Sequence, residues 1–176
     1  MTKPEANAQI YRVTINAPIE QVWSELVNTT LPRPFFFNAK CDTPGLQKNA
    51  PMRMISKDEK FAVVVGEVLE FDPPHRYAHT FKFTNLEDAP CTVTYDLKPV
   101  DGGTEFTLTT TNVPVGTKTE KSMAQGGEFI TRNLKSYIEN GKPTFGGSLI
   151  LTMISLMAPF SPASTKIENW PLGRYE

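Results

Sequence analysis

Alternating apolar and polar residues recur along the chain, and such period-two patterns predict half-buried β-strands. Asp58-Glu59 and Asp101-Gly102-Gly103 separate pairs of these stretches and are typical of hairpin turns. Six strands are predicted, at residues 10–15, Met52–Lys57, Phe61–Phe71, Arg76–Phe83, Cys91–Val100 and Thr104–Asn112. The chain therefore favours an antiparallel sheet of six or seven strands.

Two segments show helical spacing instead. Ala17-Pro18 opens a short helix, since proline fits the first turn. A second helix of roughly twenty residues ends before Gly141, because glycine is the usual C-terminal stop. Gly126 and Gly127 interrupt its apolar stripe, which indicates close packing or a cavity wall. The pattern predicts an α+β domain in which a curved sheet wraps around the long C-terminal helix.

Residues 145–160 carry no charge. This stretch is shorter than the roughly twenty apolar residues that a membrane span needs. We expect an extra helix that packs either within the chain or across a homodimer. The residues expected to be buried are Leu149, Ile150, Met153, Ile154 and Met157. The predicted organisation is a disordered lead at 1–9, a domain at 10–142 and an extension at 143–176.

Composition excludes several classes of function. The 176 residues include 18 basic and 19 acidic side chains, and this balance offers no basic surface for nucleic acid. Cys41 and Cys91 are the only cysteines and lie fifty residues apart, so neither a disulfide framework nor a metal site is expected. The first ten residues lack the apolar core of a signal peptide, which predicts a cytoplasmic protein. No GxGxxG or Walker spacing is present, so no cofactor is expected.

The order of elements resembles one family. The resemblance rests on the Pro18–Trp23 helix, on Gly66–Arg76 (GEVLEFDPPHR) and on Asp101–Thr104. These stretches are similar to the heat-shock-protein-ninety ATPase activator homology family of the START-like superfamily. The resemblance covers about residues 10 to 140. It implies a helix-grip fold, and it implies an internal cavity such as its cyclase-like relatives use.

Candidate ligand-binding residues follow from strand parity. His79 and Tyr95 are predicted to point inward, where a histidine or a tyrosine hydroxyl would contact a ligand. A histidine or tyrosine satisfied within the protein is the structural alternative. Glu67 points inward unless a bulge at Gly66 reverses it. The other candidates for the cavity wall are Phe36, Phe81, Phe106, Met123, Gly127 and Ile130.

Three functions remain open. The first is binding of a small hydrophobic molecule that is lipid-like, aromatic or polyketide-like, because ligand sites combine apolar walls with few polar groups. The second is a cyclase- or dehydratase-like enzyme that would need one of the same side chains as a proton shuttle. The third is a chaperone-ATPase activator that acts through its surface. No nucleophile or metal-binding motif is present, so no catalytic residue is assigned and a binding protein is favoured.

Overall fold

Seven strands within residues 7–175, numbered β1–β7 along the chain, form one antiparallel sheet in the order β1-β7-β6-β5-β4-β3-β2. The computed structural model describes residues 7–175. The strands are β1 Gln9–Ile15, β2 Lys40–Asp42, β3 Pro51–Ile55, β4 Ala62–Asp72, β5 Arg76–Phe83, β6 Cys91–Val100 and β7 Gly103–Thr111. The expected disordered lead lies mostly outside the described residues, and Gln9 already belongs to β1.

In the described part of the chain, three α-helices accompany the sheet: α1 Ile19–Leu26, α2 Lys118–Asn140 and α3 Phe145–Met157. The α2 helix packs against β1 and β7. It begins where the Thr117 side chain accepts a hydrogen bond from the Glu120 N–H, and it ends at Gly141 with φ 72°. This arrangement confirms the α+β helix-grip fold.

The β2 strand was not predicted from the sequence. It pairs Lys40 with Ile55 and Asp42 with Arg53, which places it at the edge of the sheet beyond β3. Three residues are too few to show an alternation, and the preceding aromatic and proline-rich segment hides the start of the strand. A 3₁₀ turn at Pro34–Phe36 leads into it.

The bulge of β4 lies at a different place from the one proposed. The register of β4 and β5 shifts between Val68 and Glu70, not at Gly66. Gly66 is required for another reason, since a Cβ there would lie 1.9 Å from the carbonyl oxygen of Thr80. Before the shift, Ala62, Val64 and Val68 are buried, and so is Val65, which was assigned the opposite parity. The inward parity assigned to Glu67 and Leu69 was wrong, because neither residue lines the cavity described below, whereas Val63 does.

The α3 helix is held at its two ends. The Asn133 side chain on α2 accepts hydrogen bonds from the N–H and the hydroxyl of Thr144, both at 3.0 Å. Beyond the helix, the Ile167 N–H donates to the Lys60 carbonyl at 2.9 Å, and Phe61 bridges to Lys166. The C-terminal arm thus runs from the end of α2 to the turn between β3 and β4.

The apolar side chains of α3 are mostly exposed within the chain. Leu151 is buried, whereas the five side chains expected to be buried are not. Those five are Leu149, Ile150, Met153, Ile154 and Met157. Their predicted burial is wrong for the single chain because α3 has the cavity described below on one side and solvent on the other. Within residues 7–175, no single helix has the length and apolarity to cross a membrane.

Candidate functional site

A large cavity lies between the inner face of the sheet and α2. Its volume is about 1590 Å³. Most of its wall is apolar and combines aliphatic side chains with aromatic rings, which include Phe36, Phe37, Phe81, Phe83 and Phe129. Two of these rings, Phe37 and Phe129, stack with their centroids 4.1 Å apart. Apolar walls of this kind are typical of sites that enclose small molecules.

Three polar rings form one patch on the inner wall, which we call the polar patch: Tyr77, His79 and Tyr95. Tyr77 and Tyr95 are paired across β5 and β6, while His79 follows two residues after Tyr77 on the same face. The ring centroids are 5.1 Å apart for Tyr77 and His79, 5.7 Å for the two tyrosines, and 5.9 Å for His79 and Tyr95. The sheet register thus brings the three rings together in a triangle.

His79 is buried with 3% exposure, and its Nδ1 lies 2.8 Å from the backbone carbonyl of Thr80. A carbonyl only accepts, so Nδ1 carries the proton and Nε2 presents its lone pair. Desolvation lowers the pKa of His79 to about 4, because burial penalises the charged imidazolium. His79 is therefore neutral at pH 7, and Nε2 has no hydrogen-bond partner within residues 7–175.

The two tyrosine hydroxyls are also neutral groups. Burial raises the pKa of Tyr77 well above its ordinary value, and it raises the pKa of Tyr95 as well. The Tyr77 hydroxyl is buried and has no hydrogen-bond partner in the described part of the chain. Repulsion from Cys41 in its ionised form further raises the pKa of both tyrosines, so this side chain lies near both rings. Burial raises the pKa of Cys41 itself to about 12, which keeps it a thiol.

Seven of the nine residues predicted for the wall do line the cavity. They are Phe36, His79, Phe81, Tyr95, Met123, Gly127 and Ile130. Gly127 also permits close packing, since a Cβ there would lie 2.3 Å from the Tyr11 ring. Its neighbour Gly126 lines the cavity with open space where a Cβ would stand. Both glycines therefore form part of the cavity wall, and the expectation of close packing applies to Gly127 alone.

Glu67 and Phe106 do not line the cavity. Glu67 lies on the opposite face of β4 because the register shift comes after it, and its carboxylate accepts a hydrogen bond from Tyr175. Phe106 points inward as predicted but is completely buried behind Tyr95, with the ring centroids 6.1 Å apart. Phe106 supports the polar patch and does not reach the open space.

Two polar groups of the wall were not selected from the sequence. Tyr77 has the same parity as His79, so the alternation of β5 contained the signal. Cys41 lies on β2, a strand that the sequence pattern did not predict. The part that α3 plays in the cavity wall was also not predicted. Its residues Ile150, Met153 and Ile154 line the cavity mouth.

Charged residues of the cavity wall are confined to its mouth. Lys57, Asp58 and Lys60 lie in or beside the turn between β3 and β4. No charged side chain lines the polar patch among the described residues. Likewise, within residues 7–175 no three His, Cys, Asp or Glu side chains converge as metal ligands would.

Solved structures with the same fold include several of low sequence identity. CalU16 from Micromonospora echinospora is 18% identical, with 86% of each chain covered and a TM-score of 0.61. DynU16 from the dynemicin biosynthetic locus is 22% identical, with 79% of this chain and 49% of that chain covered and a TM-score of 0.63. The Aha1 dimer from Colwellia psychrerythraea is 15% identical, with 77% and 98% covered and a TM-score of 0.61. At these identities the similarity shows the fold alone.

Sequence comparison identifies the family more directly. No curated protein matches the chain. The family model described as Activator of Hsp90 ATPase homolog 1-like protein matches residues 16–139, a range that includes α1, β2–β7 and most of α2. The α3 helix and the arm beyond it lie outside that range. The match covers more than half of the chain, which therefore belongs to the Activator of Hsp90 ATPase homolog 1-like family.

Proposed function

We propose that this protein binds a small hydrophobic molecule in the cavity between the sheet and α2. The observation that carries the proposal is the cavity itself, about 1590 Å³ with a largely apolar wall. Folded interiors otherwise pack closely, with few voids larger than a water molecule. An apolar space of this size exposes aromatic surface that an apolar ligand would cover, which is favourable by the hydrophobic effect.

Related proteins add limited support. CalU16 and DynU16 share the fold, and the second is described by its place in the dynemicin biosynthetic locus. A ligand of aromatic or polyketide-like character agrees with the ring-rich wall described above. The cytoplasmic location expected from the sequence stays a prediction.

Gly126 provides the test. Its Cβ position is open, so a large side chain enters the cavity without a backbone clash. We expect Gly126→Phe to reduce binding of the apolar dye N-phenyl-1-naphthylamine at least tenfold. Gly126→Ala is the matched control, since it also replaces the glycine with a better helix former but adds little volume, and it should bind the dye as the wild type does.

Dye binding that is equal in all three proteins would contradict the proposal, because the dye would then bind elsewhere. Native mass spectrometry of the freshly purified protein supplies a second readout. We expect a bound apolar compound that is absent from Gly126→Phe.

We further propose that the outer face of α3 joins two copies of the chain. Phe145, Leu149, Leu156 and Phe160 are exposed, recur at helical spacing and are absent from the cavity wall. Exposed apolar stripes of this kind mark association surfaces. The Aha1 structure from Colwellia psychrerythraea is a dimer of the same fold.

The oligomeric state tests this second proposal. We expect sedimentation to report a dimer for the wild type and a monomer for the double variant Leu149→Glu, Leu156→Glu. A monomeric wild type at 100 µM, about the upper range of such an experiment, would contradict it.

A further inference from the structure

The polar patch specifies the chemistry of one end of the ligand. Tyr77 is buried at 5% exposure, and its hydroxyl has no partner within residues 7–175. Leaving a buried hydroxyl without a hydrogen bond is unfavourable because its lost hydration is not replaced, so folded proteins rarely keep one. Tyr77 lines the cavity, and a ligand that displaces the side chains over its buried hydroxyl can supply the missing partner.

The three groups of the patch offer different hydrogen-bonding roles. His79 Nε2 accepts only, because the other ring nitrogen donates to Thr80. Each tyrosine hydroxyl donates one proton and also accepts. A complementary ligand therefore presents a hydroxyl to His79 and a carbonyl oxygen to one of the tyrosines. The ring separations of 5.1–5.9 Å allow one ligand ring to contact all three.

Charge restricts the ligand further. The charged residues of the wall, Lys57, Asp58 and Lys60, are at the mouth, away from the patch. An ion placed at the patch would lose its hydration without gaining a counter-ion, which is strongly unfavourable. The aromatic rings nearby, such as Phe36 and Phe81, favour a flat apolar body in contact with the patch.

We propose that the ligand is an uncharged aromatic hydroxy-ketone, with its hydroxyl bound by His79 and its carbonyl oxygen bound by Tyr77 or Tyr95. This inference rests on the proposed function, since it names the ligand class of the same cavity. It assigns the patch to recognition of the ligand head and the remaining wall to the apolar body.

A matched set of probes tests the proposal by competition with N-phenyl-1-naphthylamine. The probes are 3-hydroxybenzophenone, benzophenone without the hydroxyl, 3-benzylphenol without the carbonyl, and the anion 3-benzoylbenzoate. One neutral hydrogen bond contributes about 1 kcal/mol, so we expect 3-hydroxybenzophenone to bind about fivefold more tightly than either neutral analogue. The anion should bind weakest of the four.

Variants assign the preference to named atoms. His79→Phe should abolish the preference for 3-hydroxybenzophenone over benzophenone. Tyr77→Phe should weaken binding of the ketones while leaving the protein at least as stable as the wild type, because the unpaired hydroxyl is removed. Tyr137→Phe is the control, since the Tyr137 hydroxyl accepts from Arg33 and does not line the cavity.

Two failures are distinguishable. If the dye binds and all four probes displace it equally, the ligand class is wrong while the cavity remains a binding site. If Gly126→Phe leaves dye binding unchanged, the dye does not bind in the cavity. The proposed function is then wrong, whatever the four probes do. A loss of stability in Tyr77→Phe would mean that its hydroxyl has a structural partner, and that result would overturn the role given to Tyr77.

Discussion

The polar patch and the α3 helix lie on the same cavity, yet they are built in opposite ways. The patch is formed by two paired strands, and each of its rings contacts the other two. The α3 helix is apolar on both faces, and Leu151 is the large side chain that it buries. Strand pairing fixes a side chain by register, whereas a helix needs a second layer to bury its apolar surface.

The difference shows where stability resides. Thr152 and Ser155 bond the backbone of α3 itself, and the helix is fastened by contacts near its ends. Elements with few buried apolar contacts open at low free energy, while core strands open only with global unfolding. We therefore expect the inner wall of the cavity to be rigid. We expect α3, which crosses the cavity mouth, to open at a lower free energy.

The largest expected effect contrasts two phenylalanines. Phe106 is 0% exposed behind the patch, and Phe145 at the start of α3 is 90% exposed. We expect Phe106→Ala to lower the free energy of unfolding by about 3–5 kcal/mol, because it leaves a core cavity. Phe145→Ala should change it by less than about 0.5 kcal/mol. Urea unfolding measures both at a protein concentration low enough to keep the chain monomeric, so that the proposed dimer contact of α3 does not contribute. A large loss for Phe145→Ala in the monomer would contradict the exposure of its side chain.

The next effect depends on pH and on His79. Its pKa is about 4 in the folded protein and 6.5 in a model peptide, so the unfolded chain binds more protons between these values. Stability should thus fall as the pH is lowered from about 6.5 to 4, by roughly 3 kcal/mol from this residue.

His79→Phe should remove that part of the pH dependence. Urea unfolding at pH 7 and pH 4.5 compares the variant with the wild type, and His75→Phe serves as the matched control. An identical acid loss in the wild type and in His79→Phe would show that His79 is not the group responsible.

A smaller effect concerns the attachment of α3. A Cβ at Gly147 would lie 2.0 Å from the Asn133 side-chain oxygen, whereas a Cβ at Gly146 would meet nothing within 4 Å. We expect Gly147→Ala to cost about 1–3 kcal/mol through overpacking and to speed amide exchange over residues 145–157. Gly146→Ala should leave exchange unchanged. Equal exchange in both variants would contradict the contact between α2 and α3.

The smallest expected effect is an increase in the free energy of unfolding. Gly126→Ala adds a methyl group in open space on α2, so it should raise the free energy of unfolding by up to about 1 kcal/mol. Gly127→Ala should lower it, because the methyl group meets the Tyr11 ring. Thermal unfolding compares the two adjacent sites. A gain at both would mean that Tyr11 moves aside freely.

Much of the fold was predictable because local sequence patterns determine where most of its strands and helices begin and end. Alternation located β5, β6 and β7, and Gly141 marked the end of α2. These signals work since a strand buries every second residue and a helix stops where a left-handed residue is available. Parity also placed His79 and Tyr95 on the inner face, although it did not single out Tyr77.

The sequence by itself determined the strands, the long helix and the inward face of β5 and β6. Only the tertiary structure decided the position of the β4 register shift, which turned Glu67 outward, and the addition of β2, which brought Cys41 to the cavity. The tertiary structure also decided that α3 crosses the mouth of the cavity and that the apolar side chains on its outer face are exposed to solvent. The physical reason is that periodicity reports which residues can be buried, while the space available for burial depends on segments distant in the chain.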